Sequence, residues 1–348
     1  MKKNCCFAVL IAFVMVISSC VPETKIRDIK GDCVGIVFTQ PHSKDTKFLS
    51  YDETGSLIGE KSYRMEMVGR FGFGVPQSRN GVMYEIANGD DFKKDAGIVV
   101  GYDLINDDIE EISFGRSNLV DLWVTGEYIV VLSNKNHKTY FDWYSFDTHE
   151  IDTYVLDNEM LADFTVSNDN NIFFFTSQKD LLMISIKEKT VKKISSQAPS
   201  EAAYMFESDG NVYISKAYET DEMQVIEPDG KSHFIELGVV PVGQPYYYDG
   251  YLYVSNEDPV IPGMKGNITK IRLSDEKIVS SWSFDHNISQ FCVSGDAIYT
   301  LDWRGNKLRY YSNPEDDSLK PVLKKEIDIS QEDDDYRLSA MAVVNVPY

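Results

Sequence analysis

A unit of about forty residues repeats along most of the chain, and this repeat constrains the fold more than any other feature. In each copy a short apolar segment leads into a tight polar turn, and a strand rich in aromatic residues follows. The turns fall at positions 31, 80, 126, 169, 210, 250 and 295, so they are spaced by 49, 46, 43, 41, 40 and 45 residues. A period of this length is typical of small units that stack on one another, and seven such units are predicted.

The turn residues indicate how each unit folds. Asn80-Gly81, Asp209-Gly210 and Asp249-Gly250 supply the positive φ angles that two-residue hairpin loops require. The strands after them are rich in Val, Ile, Tyr and Phe, which suit a buried pleated surface. A second hairpin follows, such as residues 139–156, and its second strand carries more charge. Each unit is therefore predicted to be a four-stranded antiparallel sheet with buried inner strands and a solvated outer strand.

Four strands in about forty residues is the period of a β-propeller. The predicted fold class is all-β: a seven-bladed β-propeller of four-stranded antiparallel blades over residues 31–348, after an N-terminal lipoprotein signal peptide. Six or eight blades, or two unrelated β-sandwich domains, are the alternatives. The run Leu338–Val346 lies one period after the seventh turn, so we expect it to pair with the first blade and close the ring. Residues 24–29 compete for the same position.

The N-terminus has the three parts of an export signal. Lys2 and Lys3 precede an apolar run over residues 7–17, which is too short to span a membrane. The ending Ile17-Ser18-Ser19-Cys20 resembles the lipobox of bacterial lipoproteins, in which the cysteine sulfur takes a diacylglycerol before cleavage. We predict a signal peptide over residues 1–19, a lipidated Cys20, and a short tether over residues 20–30. An uncleaved anchor helix is the alternative.

The lipobox followed by seven such units resembles the bacterial propeller lipoproteins of the TolB-like and quinoprotein-like superfamily. The resemblance covers the whole mature chain and depends on pattern, because the chain has no WD series, no Kelch double glycine and no Asp-box. It implies a propeller in the cell envelope, lipid-anchored on the extracytoplasmic side of a membrane. Members of that superfamily include binding scaffolds, lyases, lactonases and quinone-dependent dehydrogenases, so the resemblance does not fix an activity.

Charge and cysteine content restrict the partners. Removing residues 1–19 takes away two lysines and no acid, which changes the formal net charge from −21 to −23. Such a surface repels phosphate backbones, so nucleic acid is not an expected partner. After Cys20 the only cysteines are Cys33 and Cys292, and neither has the spacing of a metal site. No metal or cofactor is predicted, and a disulfide between these two cysteines stays open.

The candidate binding face is built by the loops between the second and third strands of each blade and by the loops between blades. His42 and His137 fall in these loops, and Arg70 lies in a glycine-rich loop over residues 68–81. The remaining candidates form an aromatic group with one guanidinium: Tyr246, Tyr247, Trp303 and Arg304. For each candidate the alternative is a structural one, namely a surface histidine, an ordinary loop or an aromatic that fills a blade. His149, His233 and His286 are expected to be surface residues in or beside outer strands.

No motif nominates a catalytic residue. The chain has no HExxH zinc motif, P-loop, GxSxG elbow or CxxCH haem motif. The predicted function is a membrane-anchored binding or protein-interaction scaffold whose partner is an envelope protein, a peptide or a glycan. The alternatives are an envelope lyase or hydrolase that acts on carbohydrate-like substrates at the propeller channel, and a sensory or assembly module.

Overall fold

The computed structural model describes residues 31–40, 45–65, 77–87, 97–156, 165–176, 180–195, 204–215, 220–238, 240, 245–255, 265–302, 304–331 and 336–346. The predicted signal peptide, Cys20 and the tether lie outside these ranges. All the regular structure in them is β, and they hold no helix of the length and apolarity needed to cross a membrane.

The described residues form 28 strands. In chain order they are β1 (Gly31–Thr39), β2 (Thr46–Tyr51), β3 (Leu57–Tyr63), β4 (Gln77–Arg79), β5 (Val82–Ala87), β6 (Ile98–Asp103), β7 (Asp108–Ser113), β8 (Leu119–Val124), β9 (Tyr128–Lys135), β10 (Lys138–Ser145), β11 (Ile151–Leu156), β12 (Thr165–Ser167), β13 (Asn171–Phe175), β14 (Leu181–Ser185), β15 (Thr190–Ser195), β16 (Tyr204–Ser208), β17 (Asn211–Ser215), β18 (Glu222–Ile226), β19 (Ser232–Glu236), β20 (Tyr246–Tyr248), β21 (Tyr251–Ser255), β22 (Asn267–Arg272), β23 (Lys277–Ser283), β24 (Gln290–Ser294), β25 (Ala297–Asp302), β26 (Lys307–Ser312), β27 (Leu323–Asp328) and β28 (Arg337–Val346).

These strands form seven four-stranded antiparallel sheets, which confirms the predicted seven-bladed propeller. Blade 1 contains β28, β1, β2 and β3, and blades 2 to 7 are β4–β7, β8–β11, β12–β15, β16–β19, β20–β23 and β24–β27. The first strand of each blade lies innermost and meets the first strands of its neighbours, for example β28 against both β24 and β4. The two β-sandwich domains weighed as an alternative are excluded by this single ring.

The C-terminal strand β28 closes the ring as predicted. It pairs antiparallel with β1 from Gly31 opposite Val346 to Thr39 opposite Arg337, so blade 1 takes its innermost strand from the other end of the chain. For that reason the predicted first turn at Gly31 is the start of β1 rather than a hairpin corner. Residues 24–29, which compete for this position in the sequence, lie outside the described residues.

The hairpin corners have the predicted geometry. The dipeptides Asn80-Gly81, Asp209-Gly210 and Asp249-Gly250 have φ angles of 50° and 85°, 52° and 83°, and 48° and 77°. Two successive positive φ angles define the type I′ turn, whose twist matches that of the strands it joins. These corners connect the first and second strands of blades 2, 5 and 6 at one face of the ring, which we call the corner face. The loops between the second and third strands lie at the opposite face.

The core lies between blades rather than within them. Seven clusters of buried side chains each combine residues from two adjacent blades. Phe48 of blade 1 packs on Tyr102 of blade 2 with ring centroids 5.1 Å apart, and Phe141 of blade 3 packs on Phe174 of blade 4 at 4.5 Å. Because a single sheet cannot bury both of its own faces, each blade depends on its two neighbours for stability.

Candidate functional site

The structure describes four of the residues that the sequence nominates for a site. Cys20, His42, Arg70 and Trp303 lie outside the described residues. His137 and Arg304 are exposed and lie in turns between second and third strands, β9–β10 and β25–β26, as the predicted loop assignment requires. These two turns belong to blades 3 and 7, so the structure does not bring the two side chains together.

Tyr246 and Tyr247 are neighbours on the innermost strand of blade 6, but their side chains pack in different surroundings. Tyr246 packs against the clusters that join blades 6, 7 and 1, with its ring 6.3 Å from that of Phe291. Burial raises the pKa of Tyr246 well above its ordinary value of 10.0. Tyr247 is 44% exposed, and one face of its ring stacks on Phe206 of blade 5 at 5.2 Å and an angle of 21°. Tyr246 therefore contributes to the packing between blades, and Tyr247 is available for contact.

Tyr247 lies in a cleft between blades 5 and 6, on the corner face. The cleft has a volume of 410 Å³, within the range of small-ligand sites. Its lining comes from both blades: Ser208, Asp209, Asn211 and Tyr213 from blade 5, and Tyr247, Asp249, Gly250, Tyr251, Arg272, Leu273 and Ser274 from blade 6. At the outer rim the two blades are joined by a contact of 2.5 Å between His233 Nε2 and Glu276 Oε2.

The two blades present the same corner residue to this cleft. Asp209 and Asp249 are both the first residue of a type I′ turn, and both are exposed. Among the described residues neither carboxylate has a hydrogen-bond or ion-pair partner. The two carboxylates affect neighbouring tyrosines. Burial is the largest cause of the raised pKa of Tyr213 and of Tyr253, and the negative charge of Asp209 adds to the first shift and that of Asp249 to the second. The cleft thus has two uncompensated negative charges.

Arg272 is the one cation among the described residues that line the cleft, and nearby carboxylates offset its charge. Its guanidinium lies 3.3 Å from Asp275 and 3.6 Å from Asp317, and its pKa is raised by a hydrogen bond with Tyr251 and then by Asp275. Behind it, the ammonium of Lys270 lies 4.1 Å from the ring centroid of Tyr251 and 2.7 Å from Asp317. Asp317 therefore fixes both the Arg272 and Lys270 side chains, which in turn hold Tyr251 in the wall of the cleft.

The opposite side of blade 6, where it meets blade 7, is filled rather than open. The chain over residues 313–322 of blade 7 folds onto blade 6: Trp282 Nε1 donates to the Leu319 carbonyl at 3.1 Å, and Ser280 Oγ donates to the Asp317 carbonyl at 2.5 Å. Trp282 is 3% exposed and Lys270 is also 3% exposed. We call this filled contact the blade 6–7 seam.

His286 belongs to the same seam, and the expectation that it is a surface histidine is wrong. It does lie just after the outer strand β23, but its side chain is only 8% exposed. The loop turns inward, so that the ring stacks on Tyr311 at 5.8 Å and 7°, and Nε2 lies 3.1 Å from Thr300 Oγ1. Burial, followed by the nearby Arg309, lowers the pKa of His286 below 6.5, and Asp285 and Asp302 act in the opposite direction.

The two body cysteines do not contribute reactive groups. Cys33 and Cys292 are both buried and free, with no disulfide between them. Burial raises the pKa of each thiol to about 12, so neither forms the reactive thiolate near neutral pH. No group of three or more His, Cys, Asp or Glu side chains within the described ranges is placed to hold a metal ion.

Comparison with known proteins gives the fold. No family model and no curated protein matches the chain. A Bacteroides fragilis protein provisionally named a 6-phosphogluconolactonase is similar in structure, with a TM-score of 0.58, 12% identity, and coverage of 92% of this chain and 99% of that one.

Two further structures are similar to the same degree. AztD from Citrobacter koseri, in its apo form, has a TM-score of 0.57, 11% identity, and coverage of 91% and 99%. The computationally designed protein Ika8 has a TM-score of 0.56, 13% identity, and coverage of 88% and 86%. At these identities the likeness extends to the propeller fold alone.

The residues that sequence reasoning missed are the carboxylates of the cleft. Asp209 and Asp249 are two of the turn residues that define the repeat, and they are 40 positions apart. That spacing equals one blade, so it places the two aspartates at equivalent corners of neighbouring blades. The signal for this pair is therefore present in the sequence, as the spacing of one repeat.

Proposed function

We propose that the chain is an envelope lipoprotein of the TolB-like and quinoprotein-like propeller superfamily, lipidated at Cys20, whose propeller is a binding scaffold. The partner is held at the cleft between blades 5 and 6. The observation that carries this proposal is the exposed ring of Tyr247, supported from behind by the 9% exposed Phe206. A rigid, half-exposed aromatic in a concave site offers a large contact area at low entropic cost, and such residues dominate binding energy in protein interfaces.

The scaffold supports this role through its rigidity. Phe206 and Tyr247 belong to the innermost strands of two adjacent blades, whose partner strands β17 and β21 are buried. The Tyr247 platform is therefore held in place before any partner arrives, which reduces the entropy lost on binding.

The binding role is tested by capture of partners from native envelopes. Wild-type protein, Tyr247→Ala and Phe234→Ala are compared after mild crosslinking. Phe234 is 58% exposed on the outer strand of blade 5 and does not line the cleft, so it is a matched exposed aromatic. We expect Tyr247→Ala to lose most of the captured partner and Phe234→Ala to retain it. Equal recovery with all three proteins would refute the cleft as the binding site.

The anchor is tested separately with cysteine variants. Metabolic labelling with a fatty acid is expected to mark the wild-type protein and Cys6→Ser but not Cys20→Ser, because Cys6 lies within the signal and Cys20 is the acceptor. Denatured mature protein is expected to show only the thiols of Cys33 and Cys292, since lipidation blocks the sulfur of Cys20. A Cys20→Ser protein that is still labelled and processed contradicts the anchor.

A further inference from the structure

We propose that the cleft between blades 5 and 6 recognises a basic side chain, the guanidinium or ammonium group of an arginine or lysine on a peptide or protein partner. The proposal rests on the proposed function, since it names the chemistry of the partner that the scaffold holds.

Two carboxylates in the lining of the cleft carry charge that no partner among the described residues balances. Asp209 and Asp249 stand at equivalent corners of adjacent blades and line one cleft, yet neither has a partner of its own among the described residues. Two other turn carboxylates of this chain are engaged: Asp52 accepts three hydrogen bonds within its turn, and Asp169 accepts one from the Glu127 amide of the preceding blade. A cation bound in the cleft would supply the partner that these two carboxylates lack.

The arginine already in the lining does not pair with these two carboxylates. Arg272 is directed to Asp275 and Asp317, at 3.3 Å and 3.6 Å. Asp317 is shared with the buried Lys270. The Arg272 guanidinium is therefore committed to the side of the cleft that faces blade 7, and the negative charge at the blade 5 side stays uncompensated.

The cleft also contains an accessible aromatic platform, the ring of Tyr247. The face of the Tyr247 ring that does not touch Phe206 is accessible, and a cation is attracted to the face of an aromatic ring. The same molecule uses this contact elsewhere: the Arg79 guanidinium lies 3.9 Å from the ring centroid of Phe146, and that of Arg116 lies 4.2 Å from that of Tyr140. Tyr247 has no such cation among the described residues, although two carboxylates line the same cleft.

Size and overall charge favour a side chain on a macromolecule. A volume of 410 Å³ accommodates one long side chain with the backbone that carries it. The protein has 55 acidic and 34 basic residues, so its long-range field attracts a basic partner and accelerates association. A neutral glycan can donate hydroxyl hydrogen bonds to these carboxylates, but it gains nothing from the long-range field.

The test uses a pair of fluorescent peptides that differ by one group. A capped pentapeptide with a central arginine is compared with the same peptide carrying citrulline, which keeps the shape and removes the charge. Binding to the wild-type protein, Asp209→Asn, Asp249→Asn and the double variant is measured by fluorescence anisotropy. Glu150→Gln is the matched control, because Glu150 is an exposed turn carboxylate on blade 3 that does not line the cleft.

We expect the arginine peptide to bind at least about fivefold more tightly than the citrulline peptide, as one partly exposed charge contact contributes about 1 kcal/mol. Each asparagine variant is expected to lose about half of that preference and the double variant nearly all of it, while Glu150→Gln matches the wild type. Raising the salt concentration should weaken binding of the arginine peptide alone.

The outcomes separate this inference from the proposed function. Equal binding of the two peptides, no binding of the arginine peptide to the wild-type protein, or an unchanged preference in the double variant overturns the recognition of a basic side chain. If partner capture still depends on Tyr247 in that case, the scaffold role stands and its ligand is neutral. If capture does not depend on Tyr247 either, both proposals fail. Circular dichroism of each variant confirms that these exposed substitutions leave the fold intact.

Discussion

Blade 6 has two sides, and they differ in how they meet the neighbouring blade. Toward blade 7 the seam is filled by Trp282, Lys270 and the chain over residues 313–322. Toward blade 5 the hydrophobic cluster is present, but the corner face above it opens into a cleft lined by Tyr247 and two unpaired carboxylates. The same four-stranded unit thus uses one face for stability and leaves part of the other face free for contact.

The largest expected difference between the two sides comes from removing an aromatic residue. Trp282→Ala is expected to lower the free energy of unfolding by about 4 kcal/mol, because it removes a buried indole and its hydrogen bond to the Leu319 carbonyl. Tyr247→Ala is expected to cost only about 1 kcal/mol, since its ring is half-exposed and loses one stacking contact. Urea unfolding of both variants measures the contrast, and equal losses would show that the two sides are not distinct.

The second prediction concerns the buried ammonium of the seam. Asp317→Ala leaves Lys270 buried without its carboxylate partner, and we expect the free energy of unfolding to fall by about 3 kcal/mol. This value is at the lower end for a broken buried ion pair, because the Asp317 side chain is 26% exposed. The double variant Asp317→Ala with Lys270→Met is expected to recover part of this loss, as it removes the stranded charge. A double variant no more stable than Asp317→Ala contradicts the explanation.

A pH dependence is expected on the seam side. The pKa of His286 is lowered in the folded protein, so the unfolded chain binds its proton first as the pH falls. The stability due to neutral His286 is present above pH 6.5 and is lost as the pH falls from 6.5 through the lower pKa of the folded state. Unfolding measured at pH 8 and at pH 5 should show a smaller difference in His286→Gln than in the wild type. The same slope in both proteins would exclude His286 as the cause.

The smallest effect on stability is expected in the cleft. Asp209→Asn and Asp249→Asn should each change the free energy of unfolding by less than about 0.5 kcal/mol, because both carboxylates are exposed and unpaired. Thermal unfolding of the two variants beside Glu150→Gln provides the comparison. A large destabilisation would mean that these aspartates serve the turns rather than a ligand, and would remove the contrast between the two sides of blade 6.

Much of the architecture was predictable because its causes are local. The pair Asp249-Gly250 is sufficient to predict a type I′ turn. The apolar run Leu338–Val346 lies one period after the last turn, and this position identifies it as the strand that closes the ring. Both features depend on residue type and spacing along the chain. Residue type and spacing therefore suffice to predict seven blades and the strand that closes the ring.

The cleft and the seam were not predictable because they depend on how adjacent blades are placed. Whether Arg272 points to Asp249 or to Asp317 is decided by the approach of residues 313–322 from blade 7, about forty positions away. In the same way, His286 is buried because its loop turns inward onto Tyr311, although its neighbours in sequence are those of an outer strand. No pattern of residue types records these choices.

The pairing of β1 with β28 also determines when the molecule can become stable. These strands come from opposite ends of the described residues, so ribosomal synthesis delivers the last piece of blade 1 after every other blade. Until then β1 exposes a row of unpaired amides and carbonyls, and the faces it shares with blades 2 and 7 are incompletely covered. The ring therefore matures late and as a whole, and a newly made chain depends on protection from aggregation until its final ten-residue strand arrives.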